Sequence, residues 1–271
     1  MTVGPASPVP AQPAADYDRL VDWPARLARE APFFRRVFDE ADVHAVVDAG
    51  CGSGMHAIMW AEWGLAVTGV DPDPAMLAQA HLNASLARSR VADAGGSVRF
   101  VEGSFGGLGD LGLAGADAVT CTGNALPHVR GIAGLRLALA DFAAVLRPGG
   151  VLVLHLLNHD RLLSKRVRSI PPVVRDSEDG TWVFLRVMDY ADEGIRFDFI
   201  TLHLAKGAWE GDQPWELSSR RSVHTAISSD TLVRELTMAG LEGAQLYGNH
   251  AFKPFEPELD ESLILVARRS G

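Results

Sequence analysis

The chain has 271 residues, 47% of them hydrophobic, with 34 acidic and 25 basic side chains and a formal net charge of −9. This suits one domain with an elaboration and a sizeable core, and the acidic balance argues against nucleic acid or an anionic membrane as the main partner. Cys51 and Cys121 are the only cysteines and lack metal-type spacing, which fits a reducing cytoplasm with both as small buried hydrophobes, and no uninterrupted apolar run is long enough to span a bilayer.

Residues 1–15 carry four prolines and no charge. They lack the basic and apolar regions of a signal peptide and read as a disordered tail. Residues 16–42 read as an N-terminal helical lid, with Trp23, Leu27, Ala31 and Phe34 at helical spacing and Pro24 and Pro32 as turn or break points. Strands are expected at 43–49, 66–70, 98–101, 116–122 and 151–157, and helices at 55–63, 74–91 and 135–146. Arg147-Pro148-Gly149-Gly150 is a turn signal before the last of these strands, which is nearly all apolar, as a central parallel strand should be. The alternation then stops. Segments 182–188 and 195–204 flank Asp192-Glu193-Gly194, a hairpin pattern that sets off residues 159–225 as an inserted, β-rich substrate cap. The core, 43–158, resumes at 226–271 with Ser229 as N-cap, a helix at 230–239 stopped by Gly240, and strands at 244–247 and 262–268.

The densest signal is Val46-Val47-Asp48-Ala49-Gly50-Cys51-Gly52-Ser53-Gly54, followed by Val67-Thr68-Gly69-Val70-Asp71. It describes a β-loop-α-β unit that lays backbone against a nucleoside-like cofactor. Asp71 stands 21 residues past Gly50, where a second-strand acid grips ribose hydroxyls. A dinucleotide fingerprint needs glycine at position 55, and Met55 stands there, which disfavours nicotinamide-dependent oxidoreduction.

With Asp48 before it, the loop resembles the first motif, D-x-G-x-G-x-G, of the class I S-adenosylmethionine-dependent methyltransferases. The resemblance covers roughly 40–158 and 229–268. Cys121-Thr122-Gly123-Asn124-Ala125-Leu126-Pro127-His128 looks like the motif after strand four in the glycine N-methyltransferase-like group, and Asn158-His159-Asp160 looks like that group's Asn-aromatic-Asp, with His159 at the aromatic position. The resemblance implies an α/β, Rossmann-like doubly wound sheet of seven strands, the last antiparallel. It also implies S-adenosyl-L-methionine as cofactor, S-adenosyl-L-homocysteine as product, no metal, and methylation of a small molecule, most often at nitrogen.

On that resemblance Gly50, Gly52 and Gly54 line the methionyl part and ribose, Asp48 serves the cofactor amino group, and Asp71 the ribose. Ser104 and Phe105 face adenine, and Arg26, 22 residues before Asp48, takes the cofactor carboxylate. Tyr17 and Trp23 belong to the lid over the methyl group. Asn124 and Asn158 orient the acceptor, with His128 and His159 beside the transferred methyl as candidates for proton transfer. Tyr190, Arg221, Tyr247 and Lys253 are further substrate-side candidates, and Arg161, Lys165 and Arg168 form a solvated face or an anion site. O-methylation, nucleic-acid methylation and cofactor binding without catalysis stay open, as does the oligomeric state.

Overall fold

The computed structural model describes residues 14–192, 194–207 and 215–271. Alternating apolar residues build a central sheet of seven strands, which lie side by side in the order β10 (Leu241–Tyr247), β11 (Ser262–Arg269), β5 (Leu146–Leu157), β4 (Ala116–Cys121), β1 (Ala45–Ala49), β2 (Ala66–Asp71) and β3 (Ser97–Glu102). β11 runs antiparallel to both β5 and β10, and the remaining neighbours are parallel. Successive side chains leave opposite faces of a strand. Thus Val47, Leu152 and Leu154 pack under α5 (Gly131–Val145) and α7 (Ser229–Met238), whereas Val46, Val151 and Val153 pack under α2 (Trp23–Glu40) and α3 (Met55–Ala61). α4 (Pro74–Asp93) completes the second face. The strand order reverses between β1 and β4, so their carboxyl ends open into the crevice where doubly wound sheets bind ligands.

The expected helix from residue 16 is two helices, α1 (Ala14–Leu20) and α2, because Asp22 caps α2 by accepting from Ala25 N at 3.1 Å, with Pro24 in its first turn. Pro32 sits inside α2 without ending it. Of the expected tail, residues 1–13 lie outside the described residues, and Ala14 and Ala15 open α1. The N-cap of α7 is Ser228 rather than Ser229; its side chain accepts from Thr231 N.

The insertion begins with α6 (His159–Lys165) and forms an antiparallel sheet of β6 (Ser169–Ser177), β7 (Gly180–Ala191), β8 (Gly194–Ala205) and β9 (Glu216–His224), in that order. β7 and β8 turn tightly, with Ala191 opposite Gly194; Glu193 lies outside the described residues. β6 and β9 have no counterpart in the sequence reading. The cap docks at the carboxyl end of the main sheet. Thr225 N donates to Pro127 O at 2.8 Å, and Thr225 Oγ1 accepts from Gly131 N at 2.8 Å and donates to Val129 O at 2.5 Å. No helix among the described residues is long and apolar enough to cross a membrane.

Candidate active site

Gly50, Gly52 and Gly54 all have φ between +55° and +78°, the left-handed region that costs glycine nothing. A Cβ on Gly50 would stand 2.7 Å from Ala125 Cβ, and one on Gly54 2.5 Å from Phe100 Cζ, so the loop after β1 lies flat against its neighbours. Asp71, buried at the end of β2, accepts from Gly52 N at 2.8 Å through Oδ2 and from Asp73 N at 3.0 Å through Oδ1. Burial raises its pKa, and each oxygen keeps a second acceptor direction.

Asp48 is buried between β1 and β4. Its Oδ1 accepts from Thr120 Oγ1 at 2.9 Å, while Oδ2 is buried without a hydrogen-bond partner. Desolvation pushes its pKa up to about 7. Arg26, within electrostatic range, donates from Nε to Glu30 Oε1 at 2.9 Å and interacts with the Tyr17 hydroxyl. A Cβ on Gly123 would meet Tyr17 Oη at 3.4 Å and an Arg26 terminal nitrogen at 3.9 Å, so both residues reach over the loop after β4. Behind Arg26, Glu30 Oε2 lies 2.7 Å from His56 Nε2, which keeps the Glu30 carboxyl well below its ordinary range against the opposing effect of burial. This pair was not foreseen; the i,i+4 spacing of Arg26 and Glu30 was the available signal.

Gly50, Pro72, Ser104, Phe105 and His128 are among the residues lining a cavity of about 470 Å³ at the same end of the sheet. Phe105 also packs edge-on against Phe142, and Ser104 is exposed. A second depression, about 360 Å³, sits at the amino ends of the strands, with Arg99 as the single charged side chain in its lining.

On the cap side, Asn124 takes φ +67° after β4. Its Oδ1 accepts from Leu157 N at 2.9 Å, and its Nδ2 lies 3.4 Å from His224 Nδ1. The rings of His224 and His128 meet edge-on at 4.3 Å, and His224 stacks on Phe197 at 4.2 Å. Desolvation, with the charge of Arg220, lowers the His128 pKa. Desolvation takes His224 down to about 3, helped by His128 and His159. His159 Nδ1 accepts from Ile227 N at 2.9 Å, leaving Nε2 buried and unpartnered, and desolvation holds its pKa near 4. His224 is the member of this group that sequence reasoning missed.

Several expected substrate contacts stand elsewhere. Tyr190 Oη lies 2.7 Å from the carbonyls of Leu162 and Val167 and secures the end of α6. Arg221 points outward into a two-pronged pair with Asp198 at 2.7 and 2.8 Å; on a strand that flips with each residue, Arg220 is the inward one. Tyr247 packs on Phe33 and Phe252 at the far edge of the sheet. Asn158 spends its side chain on Pro257 O, Asp260 O and Arg161 N as the N-cap of α6. Trp23 is buried, donating to Asp18 Oδ1 at 2.8 Å and packing edge-on to Tyr17 and His56, so it braces the lid from beneath. Lys253 pairs with Asp260 and Glu256. Arg168 pairs with Asp189, and Lys165 donates to Glu258 O.

Residues 46–150 match the family model for a methyltransferase domain. The glycine/sarcosine N-methyltransferase of Parasynechococcus marenigrum is 38% identical over 151 residues, 54% of this chain and 50% of that protein. A solved S-adenosylmethionine-dependent methyltransferase from Clostridium acetobutylicum superimposes with a TM-score of 0.74 at 15% identity, over 95% of this chain and 98% of that one. The sugar N-methyltransferase KedS8 from Streptoalloteichus gives 0.72 at 20% identity, over 100% and 97%. Residues 46–150 thus resemble a methyltransferase domain, and the chain as a whole has the fold of the S-adenosylmethionine-dependent methyltransferases on which it superimposes. It spans about half the length of the curated relatives it matches.

Proposed function

We propose that this chain transfers a methyl group from S-adenosyl-L-methionine to the nitrogen of a small-molecule amine and releases S-adenosyl-L-homocysteine. The observation that carries the reading is the buried, unpartnered Oδ2 of Asp48 within electrostatic range of the partly buried guanidinium of Arg26. A buried acid and a partly buried cation within reach of one another's field suit the two ends of a methionyl zwitterion, the ammonium at Asp48 and the carboxylate at Arg26. Gly50, Gly52 and Gly54 give the ligand backbone to lie on, Asp71 keeps acceptor capacity for a ribose diol, and Ser104 and Phe105 line the cavity on the adenine side. The matched relatives are glycine and sarcosine N-methyltransferases, which supports nitrogen as the acceptor atom.

When bound, the sulfonium supplies a methyl group that is already activated. The residues' work is to orient the acceptor and keep water out, and positioning of this kind supplies at most roughly 7–11 kcal/mol. Tyr17 covers the loops after β1 and β4, and Asn124, fixed by Leu157 N, holds its amide against His224 at the chamber wall. Desolvation and the charge of Arg220 favour the neutral imidazole of His128, which is open to the cleft and takes the proton the amine gives up. His159 and His224, near 4 and 3, are too weakly basic for that task and shape the pocket. The net charge of −9 and the two unpaired cysteines support a cytoplasmic enzyme of small molecules rather than of nucleic acid.

Calorimetry with S-adenosyl-L-homocysteine tests the donor side. Asp71→Ala should weaken binding by about 1–3 kcal/mol, the cost of removing a charge-assisted hydrogen-bond partner. Unchanged affinity in that variant removes the assignment.

A further inference from the structure

Beneath α2 the fold gathers imidazoles that the proposed chemistry does not use. Val151, Val153 and His155 share the face of β5 that packs under α2. Val151 and Val153 join an apolar cluster there, and His155 stands opposite buried Ile264. An imidazole in such an apolar column is costly unless its nitrogens find partners. His250 reaches the same place from the loop after β10, which Gly248 N closes on Lys253 O at 2.8 Å. Its ring meets His155 edge-on at 5.0 Å and Phe33 edge-on at 5.4 Å. Glu30 completes the group from α2. One ligand atom each of Glu30, His155 and His250 lies within 4.8 Å of the other two. Glu30 is 1% exposed, His250 is 9% exposed, and His155 is partly buried. Nδ1 of His155 and Nε2 of His250 are themselves buried and without a hydrogen-bond partner, the second of them 3.8 Å from Glu30 Oε2.

Each neutral imidazole can carry its proton on the other ring nitrogen and leave a lone pair at the unpartnered one. Two such lone pairs beside a buried carboxylate are satisfied together by a cation. We infer that Glu30, His155 and His250 bind a zinc-type divalent transition ion. Two imidazole nitrogens and one carboxylate are a ligand set that zinc takes, with a fourth position left open. The same nitrogens disfavour magnesium and calcium, which take oxygen ligands. Zinc bonds of about 2.1 Å put tetrahedral ligand atoms about 3.4 Å apart, so the three side chains close in by roughly an ångström. The carboxylate is already oriented: Arg26 Nε donates to Oε1 at 2.9 Å, and His56 Nε2 lies 2.7 Å from Oε2. Outer contacts of this kind hold a ligand in place. Arg26 is a like charge to the ion and bears electrostatically on both imidazoles. With three protein ligands and that opposing charge, the affinity should be nearer micromolar than nanomolar. The ion ties α2, β5 and the loop after β10 together and takes no part in methyl transfer. The inference therefore stands apart from the proposed function.

The test strips the full chain with EDTA and titrates it with Zn²⁺ near pH 7.5 by calorimetry. One Zn²⁺ per chain should bind with a Kd of about 1 μM or tighter, and Mg²⁺ about a hundredfold or more weaker. Zn²⁺ at about a hundredfold over its Kd should raise the Tm by about 5 °C. His155→Gln and His250→Gln should each weaken Zn²⁺ by about a hundredfold, since outer contacts alone are worth about 10–100-fold. His44→Gln, at an exposed imidazole beside Asp42, should change nothing. Co²⁺ on the wild type should absorb strongly in the visible, as a four-coordinate site does, a readout that needs no variant if a substitution prevents folding. The inference is overturned if no stoichiometric Zn²⁺ binds, or if Mg²⁺ binds as tightly. It is overturned equally if either folded histidine variant keeps the wild-type affinity, which would mean an adventitious ion only, or if Co²⁺ shows only the weak absorption of a hydrated octahedral ion. A chain that binds Zn²⁺ in this way but not S-adenosyl-L-homocysteine removes the proposed function and leaves the metal site; the converse result removes the metal site alone.

Discussion

The loops after β1 and β2 hold their shape through partners close in sequence, whereas the acceptor chamber is assembled from partners far apart. Gly52 N and Asp71 are 19 residues apart, while Asn124 meets His224 across 100 and His159 meets Ile227 N across 68. One half is a property of a short peptide with three left-handed glycines; the other exists only once the cap has folded in register. On the proposed function, donor recognition should therefore tolerate changes in the cap, and acceptor recognition should not.

The largest effect that would sharpen this division is expected at His128. With an accepted amine, His128→Gln should lower turnover by about 10²–10⁴-fold, the usual contribution of a proton-transfer group, with the affinity for S-adenosyl-L-homocysteine unchanged. Loss of nucleoside affinity instead would move His128, which also lines the cavity beside Phe105, into the donor half. Gly54→Ala comes next. A methyl there meets Phe100 at 2.5 Å on a backbone with φ +77°, and left-handed strain plus overpacking should cost about 2–4 kcal/mol of stability, read as a fall in Tm. A normal Tm would mean the loop is softer than its contacts imply.

The response to acid bears on both halves at once, because the groups differ in sign. His155 and His224 are held near pKa 3 and His159 and His250 near 4, all chiefly by burial and all below the unfolded value of about 6.5. Below about pH 6.5 the unfolded chain binds protons these folded imidazoles refuse, so stability falls as pH falls towards about 4. Asp48, raised to about 7, and Asp71, raised by burial, act in the opposite direction over that range. Four imidazoles outweigh two acids, so Tm should decline from pH 7 to pH 4.5. A Tm that rises on acidification would show that the donor-side acids dominate.

The same division decided what could be read from the sequence. Glycine spacing, Asp48, Asp71 and the apolar runs of β1, β2, β4 and β5 act locally, and their positions follow from the residues themselves. β6 is hidden by Pro171 and Pro172, which disqualify a strand anywhere but at an edge or bulge; β6 is an edge strand, and its register shifts between Ile170 and Val173. β9 reads as polar because Ser218, Arg220 and Ser222 alternate with Ser219 and Arg221. With no apolar face to set the phase, nothing in the sequence distinguished the inward Arg220 from the outward Arg221. The sequence hides what Asn158 and Tyr190 bond to for a related reason: both side chains are held by backbone groups at the two ends of α6, and those groups come together only in three dimensions.

The stitching around Thr225 gives the cap the character of a plug in a socket. The chain leaves the core at His159 and Asp160 and comes back through Thr225, Ile227 and Ser229, and entry and exit are fastened to each other: His159 to Ile227 N, Asp160 Oδ2 to Ser229 N, Thr225 to the turn after β4. With both ends pinned, the entropic penalty of what lies between grows slowly, by about 0.6 kcal/mol for each doubling of length. A cap of different strand number or lining can therefore be spliced between the same two anchor points while the sheet and the glycine loop stay as they are, which makes this junction the natural seam for transplanting acceptor choice.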